Sequence, residues 1–325
     1  MRLPLLLLLA AGLVVASGCG DGDDSASGES ALTVVATTTH AADLARQVAG
    51  DRASVDGILS PNADPHAYEP RPSDAAALSE ADLVVRSGGD LDHWLDELVE
   101  NAGADPEQLT LIDSVETIEG DHEHEGEEEH AEEEEHEGDE VDPHWWQDPR
   151  NALLAVEAIR KAMVKADPDG RATYDRNAAA YERTLRRLDS DVERCIERVP
   201  ADKRKIVTTH DALGYFADRY GIEVIGAVIP SLSTQAQPSA KDVDELVGLI
   251  EDEGVEAIFP EAAVSQKLER AISREAGAEV GGTLWADSLG PDGSGAETYV
   301  DAIRADAETL AEGMSGGRVT CGLTR

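Results

Sequence analysis

Residues 171–198 contain no glycine and no proline, and their apolar side chains Tyr174, Ala178, Tyr181, Leu185, Leu188, Val192 and Ile196 recur at intervals of three and four. Such a run reads as one uninterrupted helix. At 1.5 Å per residue it would reach roughly 40 Å, the length of a whole domain. It divides the chain into halves, and each half alternates short β-rich runs with helical segments. In the first half Leu32–Ala36, 54–59, 82–85 and 109–112 read as strands. Helices are expected over 41–49, from an N-cap at Ser73 through 81, and over 91–101; Asp148-Pro149 opens another that runs to Ala166. In the second half strands are expected at Lys205–Thr208, 223–228, 255–259 and 279–284, with helices over 212–220, Ala240–Glu253, 265–276 and 298–314. Strands and helices alternating at this spacing build βαβ units on parallel sheets. The expected fold is therefore α/β: two lobes, 32–170 and 200–325, each with a mainly parallel sheet flanked by helices, joined by one long rigid helix over 171–199.

Length agrees with two lobes, since 325 residues exceed what one core usually serves. Charge narrows the partners. The chain carries 68 Asp and Glu against 27 Lys and Arg, a formal net charge of −41. Phosphate backbones and anionic lipid headgroups would be repelled, which excludes nucleic acid as a ligand. A cation would be attracted. Residues 119–140 hold 14 acidic side chains, the histidines His122, His124, His130 and His136, and no Lys or Arg; without them the charge of −41 falls only to −27, so acidity belongs to the whole surface. The segment is either a solvated insertion or a low-affinity metal collector, and its histidine density favours the collector.

The N-terminus points to export. Arg2 precedes the apolar run 3–15, too short to span a bilayer, and the small residues Ala16-Ser17-Gly18 lead to Cys19. Residues 1–18 read as a lipoprotein signal peptide, Cys19 as the lipid-modified residue, and 19–31, rich in Gly, Ser and Asp, as a flexible tether. The mature protein would lie outside the cytoplasm, held to the cell membrane by its lipid. Cys195 and Cys321 remain; in an oxidising compartment they would pair or persist as two thiols, and pairing is the expectation.

Five histidines lie outside the acidic segment: His40, His66, His93, His144 and His210. His66, His144 and His210 fall in loops or stiff proline-flanked segments, and His210 directly follows an expected strand. In open α/β sheets, ligands bind beyond the carboxyl ends of strands. Asp287 also follows a strand end. Three imidazoles and a carboxylate would suit Zn²⁺, or Mn²⁺ with a bidentate carboxylate; alternatively Asp287 caps a helix and water completes the shell. His40 and His93 read as structural.

The segments PHAYEP (65–70), DPHWWQDP (142–149), THDALGYF (209–216), QPSAKDVDELVGLIEDEGVEAIFPE (237–261) and TLWADSLG (283–290) resemble the metal-binding lipoproteins of zinc and manganese ABC importers, the cluster A-I solute-binding proteins. The resemblance spans about residues 32–318. It implies two α/β lobes joined by one long helix, with His66, His144, His210 and Asp287 as metal ligands. Many manganese-type members carry Glu at the third position; His210 here pushes toward Zn²⁺. Glu261 matches an acidic position near the site and would orient a histidine by accepting its other N–H.

The resulting expectation is a monomeric, lipid-anchored receptor that captures Zn²⁺, or Mn²⁺, between its lobes and delivers it to an ABC permease, without being an enzyme. A rigid connecting helix would leave release to shifts of the ligand loops. The rivals are a zinc-dependent hydrolase with Glu261 as general base, and a stand-alone surface metal buffer resting on 119–140. A siderophore or cobalamin binder would share the long helix, but would not need histidine-rich loops.

Overall fold

The computed structural model describes residues 32–120 and 141–323. The signal peptide, Cys19, the tether and the segment bearing His122, His124, His130 and His136 lie outside the described residues. In the first half, β1 (Leu32–Ala36), α1 (Thr39–Ala49), β2 (Ala53–Gly57), α2 (Pro72–Ser79), β3 (Leu83–Arg86), α3 (Trp94–Ala102) and β4 (Glu107–Thr110) follow one another. Then come α4 (Pro149–Ala166) and α5 (Arg171–Ile196). The second half runs β5 (Lys205–Thr208), α6 (Gly214–Tyr220), β6 (Glu223–Ala227), α7 (Ala240–Glu253), β7 (Ala257–Phe259), α8 (Lys267–Ala276), β8 (Glu279–Val280) and α9 (Tyr299–Met314). Each half forms a four-stranded, wholly parallel sheet, in the orders β2-β1-β3-β4 and β6-β5-β7-β8. The two orders are the same permutation, so the second sheet repeats the first.

Alternation along the strands explains the layering. Val34, Ala36, Leu83 and Val85 face a large apolar cluster, and Val35 and Val84 face a smaller one with Leu78 of α2 and Leu95 and Val99 of α3. In the second sheet Ile206, Ala257 and Phe259 face the large cluster, whereas Val207 and Ile258 pack with Leu246 and Ile250 of α7 and Ile272 of α8. Both faces of each sheet are thus covered, as parallel sheets require. The large cluster is shared: Tyr174, Leu185, Leu188, Val192 and Ile196 of α5 pack in it with Leu44 of α1, Ile159 of α4 and Leu310 of α9. At 26 residues α5 is about 39 Å long. It lies as a strut within one continuous core, not as a free linker.

Several boundaries differ from the sequence expectation, each for a local reason. The expected helix over 91–101 breaks at Asp92, whose carboxylate accepts the Thr37 hydroxyl and the Gly88 amide; a 3-10 turn over Gly89–Asp92 precedes α3. Helix α2 begins at Pro72 with Arg71 as N-cap, because Asp74 Oδ2 accepts the Arg71 amide at 2.6 Å and proline suits the first helical position. Strand β4 starts earlier and ends where Ile112–Ser114 turn. Strand β8 stops at Val280, before Gly281 and Gly282 (φ 131°), and Leu284 only bridges Glu261. Elsewhere the local chemistry matches: α4 is capped by Asp148 with Pro149 at its first position, and α7 runs from the Ser239–Asp242 capping box to Gly254 in the left-handed conformation. Cys195 and Cys321 form a disulfide with Cα atoms 5.5 Å apart, tying the C-terminal tail to α5.

Candidate metal centre

Four segments converge where the halves meet. His66 lies in the loop between β2 and α2, His144 just ahead of α4, His210 directly after β5, and Asp287 between β8 and α9. In each sheet order the neighbours β1/β3 and β5/β7 mark the switch point, where successive connections leave in opposite directions and open a crevice. His210 and Glu261 leave the carboxyl ends of β5 and β7, at the second of these.

One local device recurs. Asp64-Pro65-His66 and Asp142-Pro143-His144 are the same tripeptide, and in both the aspartate Oδ1 accepts the histidine amide, at 2.9 and 2.8 Å. The proline stiffens the turn while the aspartate closes it. In the second copy Asp142 Oδ1 also accepts the ring Nδ1–H at 2.7 Å. Glu261 serves His210 in the same way, accepting from ring Nδ1 at 2.7 Å and from the amide at 3.3 Å. Glu261 is held in turn through Thr209: the Glu261 amide donates to the Thr209 hydroxyl, which donates to the buried Glu269. A ring donating from Nδ1 to a carboxylate presents Nε2 to whatever faces it.

What the Nε2 atoms face is each other and Asp287. His144 Nε2 lies 3.4 Å from His66 Nε2 and 3.3 Å from His210 Nε2. Asp287 Oδ2 lies 3.4 Å from His66 Nε2 and 3.3 Å from His210 Nε2, and Oδ1 lies 3.5 Å from His144 Nε2. A tetrahedron with metal–ligand bonds of about 2.0–2.1 Å has edges of about 3.3–3.4 Å. These five separations suit a shell around one small dication, and all four ligand atoms lie within 4.8 Å of one another. Both oxygens of Asp287 are buried without a hydrogen-bond partner, a costly arrangement that a cation would relieve.

Electrostatics favour positive charge here. Burial opposes charge on the His210 ring, but Glu261 and Asp287 outweigh it and hold its pKa well above the ordinary histidine range. Burial likewise opposes the Asp287 carboxylate, yet the surrounding imidazoles, His210 foremost, hold its pKa well below the usual range. Burial pushes the Glu261 carboxyl up despite His210 beside it. Asp142, Glu261 and Asp287 place three buried carboxyl groups around the imidazoles.

The other two histidines stand apart. His40 stacks on Trp146 at 4.8 Å and 15°, and burial drives its pKa down to about 3, so the ring is neutral. His93, exposed at the start of α3, faces the Asp90 carbonyl. Sequence reasoning missed Asp142 and Asp64, although the repeated Asp-Pro-His tripeptide was a signal for both. It also missed Trp146 and Gln147, which cross to the Ala286 carbonyl at 2.8 and 2.7 Å.

Residues 34–313 match the family model described as zinc-uptake complex component A, periplasmic. The chain is 31% identical to the manganese-binding lipoprotein MntA of Halalkalibacterium halodurans over 93% of its own length and 95% of that protein's. It is 31% identical to the iron-binding protein YfeA of Yersinia pestis, over 86% of each. Among solved structures, the periplasmic zinc-binding protein TroA of Treponema pallidum superposes with a TM-score of 0.78 at 26% identity, covering 88% of this chain and all of that one.

Proposed function

The chain belongs to the zinc-uptake component A family, the metal-binding substrate-binding proteins of ABC transporters, and from that premise we propose that it captures Zn²⁺ on His66, His144, His210 and Asp287 and hands it to an ABC permease. It is not an enzyme. The observation that carries the zinc reading is the donor set: three neutral-capable nitrogens and one carboxylate, with five nitrogen–nitrogen and nitrogen–oxygen separations of 3.3–3.5 Å and all ligand atoms within 4.8 Å, dimensions that suit a four-coordinate ion. Four protein ligands leave no position for a reactive water, and Glu261 Oε1 is engaged by His210, so neither requirement of a zinc hydrolase is supported.

Release fits the same geometry. His144, His210 and Asp287 are buried, whereas His66 is the most exposed of the four and sits on a loop. With α5 embedded in a shared core, the ion leaves by movement of the His66 loop and not by opening of the halves. The reading extends to the rest of the chain. Residues 1–18 serve as signal peptide, Cys19 carries the lipid anchor outside the cytoplasm, and 19–31 is the tether. The lobes 32–170 and 200–325 flank the helix 171–199, the protein acts as a monomer, and His122, His124, His130 and His136 collect metal at low affinity.

A second reading has its own support. Both Asp287 oxygens face the imidazoles, Oδ1 toward His144 and Oδ2 toward His66 and His210, so a bidentate carboxylate and a fifth donor are within reach. That shell would suit Mn²⁺. Competition dialysis of the purified chain against Zn²⁺ and Mn²⁺, with elemental analysis, separates the two. One Zn²⁺ retained against excess Mn²⁺ supports the zinc reading; preferential Mn²⁺ retention replaces it.

A further inference from the structure

The Asp287 carboxylate has no hydrogen-bond partner apart from the imidazoles that face it. Outside the imidazoles nothing aims the side chain, so its position within the site follows from its backbone. That backbone is tied on both sides. Upstream, the Trp285 amide donates to the buried Asp306 Oδ1 at 2.9 Å, and the Ala286 carbonyl accepts both Trp146 Nε1–H at 2.8 Å and Gln147 Nε2–H at 2.7 Å. Downstream, the Leu289 amide donates to Thr39 Oγ1 at 2.9 Å, and its carbonyl accepts the Asn62 amide at 2.9 Å.

The two bonds at Ala286 differ from the rest. They come from consecutive residues, two and three positions after His144, and end one residue before Asp287. The segments bearing these two metal ligands, one from each half, are therefore joined by a double bond-pair immediately beside the ligands. Both donors are buried. Trp146 is fixed by the His40 stack and by the Tyr299 hydroxyl on its carbonyl at 2.7 Å. Gln147 keeps its Oε1 buried without a partner, a cost that leucine in its place would avoid, and donates one bond from its amide nitrogen.

We propose that Trp146 and Gln147 are positioning residues that clamp the Asp287 segment to the His144 segment and thereby set which ion the site accepts. The clamp holds the carboxylate 3.5 Å from His144 Nε2, a span for a small four-coordinate ion. A larger ion needs the carboxylate to retreat, and the clamp on the adjoining backbone resists that. The inference rests on the metal reading above and deepens it.

The test compares Zn²⁺ and Mn²⁺ affinities, by competition with a chromophoric chelator, in the wild-type chain, Gln147→Leu and Trp146→Phe. Each variant removes one of the two donors; Leu keeps the bulk of Gln147, and Phe, though smaller than the buried Trp146, keeps an aromatic ring against His40. Loss of a partner that orients a ligand weakens metal binding by about 10–100-fold. The clamp predicts that loss for Zn²⁺ and a smaller one for Mn²⁺, so that the preference for Zn²⁺ narrows about tenfold. The visible spectrum of bound Co²⁺ should also weaken, as four-coordination gives way to higher coordination. Equal losses for both ions, or none, in whichever variant folds, would mean that the pair only supports the fold and would overturn the proposal. A wild-type chain that binds neither ion tightly overturns the metal reading and the clamp with it; a wild-type chain that binds tightly beside variants with unchanged preference refutes the clamp alone.

Discussion

Thr234 donates its hydroxyl to Asp64 Oδ2 at 2.7 Å, and the other oxygen of the same carboxylate accepts the His66 amide at 2.9 Å. One side chain thus links the outermost ligand loop to a loop of the second half. Breaking one such bond costs about 1 kcal/mol, equivalent to roughly fivefold faster opening. Thr234→Val should therefore speed metal release about fivefold, read by stopped-flow transfer to a chelator, with the Co²⁺ spectrum of the bound state unchanged. An unaltered release rate would remove this latch from the account.

Glu261 and Asp142 each hold a histidine Nδ1 at 2.7 Å. Replacing either by its amide keeps the shape but can present an N–H where an acceptor is needed. Glu261→Gln and Asp142→Asn should each weaken Zn²⁺ binding about 10–100-fold without changing the one-to-one stoichiometry. Titration calorimetry checks both, and full affinity in either variant would contradict the orienting role.

Glu261 and Asp287 hold His210 protonated in the metal-free protein, whereas a metal binds only the neutral ring. Binding at neutral pH must therefore expel that proton. Affinity should rise about tenfold per pH unit wherever the metal-free ring is still charged, and weaken correspondingly on acidification. Calorimetry at pH 7 in buffers of different ionisation enthalpy should report about one proton released per ion. No release would show that His210 is already neutral.

Burial pushes the Asp306 carboxyl up to about 8. The native state therefore binds a proton that the unfolded chain, with its pKa near 4, has already lost. Between these values stability falls as pH rises, because native molecules carry the extra proton. Asp306→Asn keeps an oxygen for the Trp285 amide and removes the titration. It should stabilise the metal-free protein by on the order of 2–4 kcal/mol at pH 7 and flatten the decline between pH 4 and 8. Thermal melts across that range read this directly; equal slopes in both proteins would contradict it.

How far the sequence discloses the fold depends on how local the cause is. The ends of α7 are legible because Ser239, Asp242 and Gly254 act within one turn. The break before α3 is not, because Asp92 is drawn to Thr37, 55 residues away. The two sheets are visible as alternating strands and helices, but their common core is not: the presence of Val34 and Phe259 in one apolar cluster depends on where α5 lies. At the site, residue type and loop context single out His66, His144, His210 and Asp287, and the family resemblance orders them. The carboxylate behind His144 was legible in principle, since Asp142 repeats the spacing of Asp64. The ties of Trp146 and Gln147 to Ala286 were not, since a backbone carbonyl has no signature in sequence.

In the proposed function, three imidazoles and one carboxylate from both halves enclose a single dication. Zinc K-edge absorption of the protein loaded with one equivalent of Zn²⁺ tests it most directly. The expected shell is four nitrogen or oxygen donors at about 2.0–2.1 Å with the multiple-scattering signature of three imidazoles, reduced to two in His210→Ala. A shell with one imidazole or none, or a spectrum that His210→Ala leaves unaltered, would contradict it.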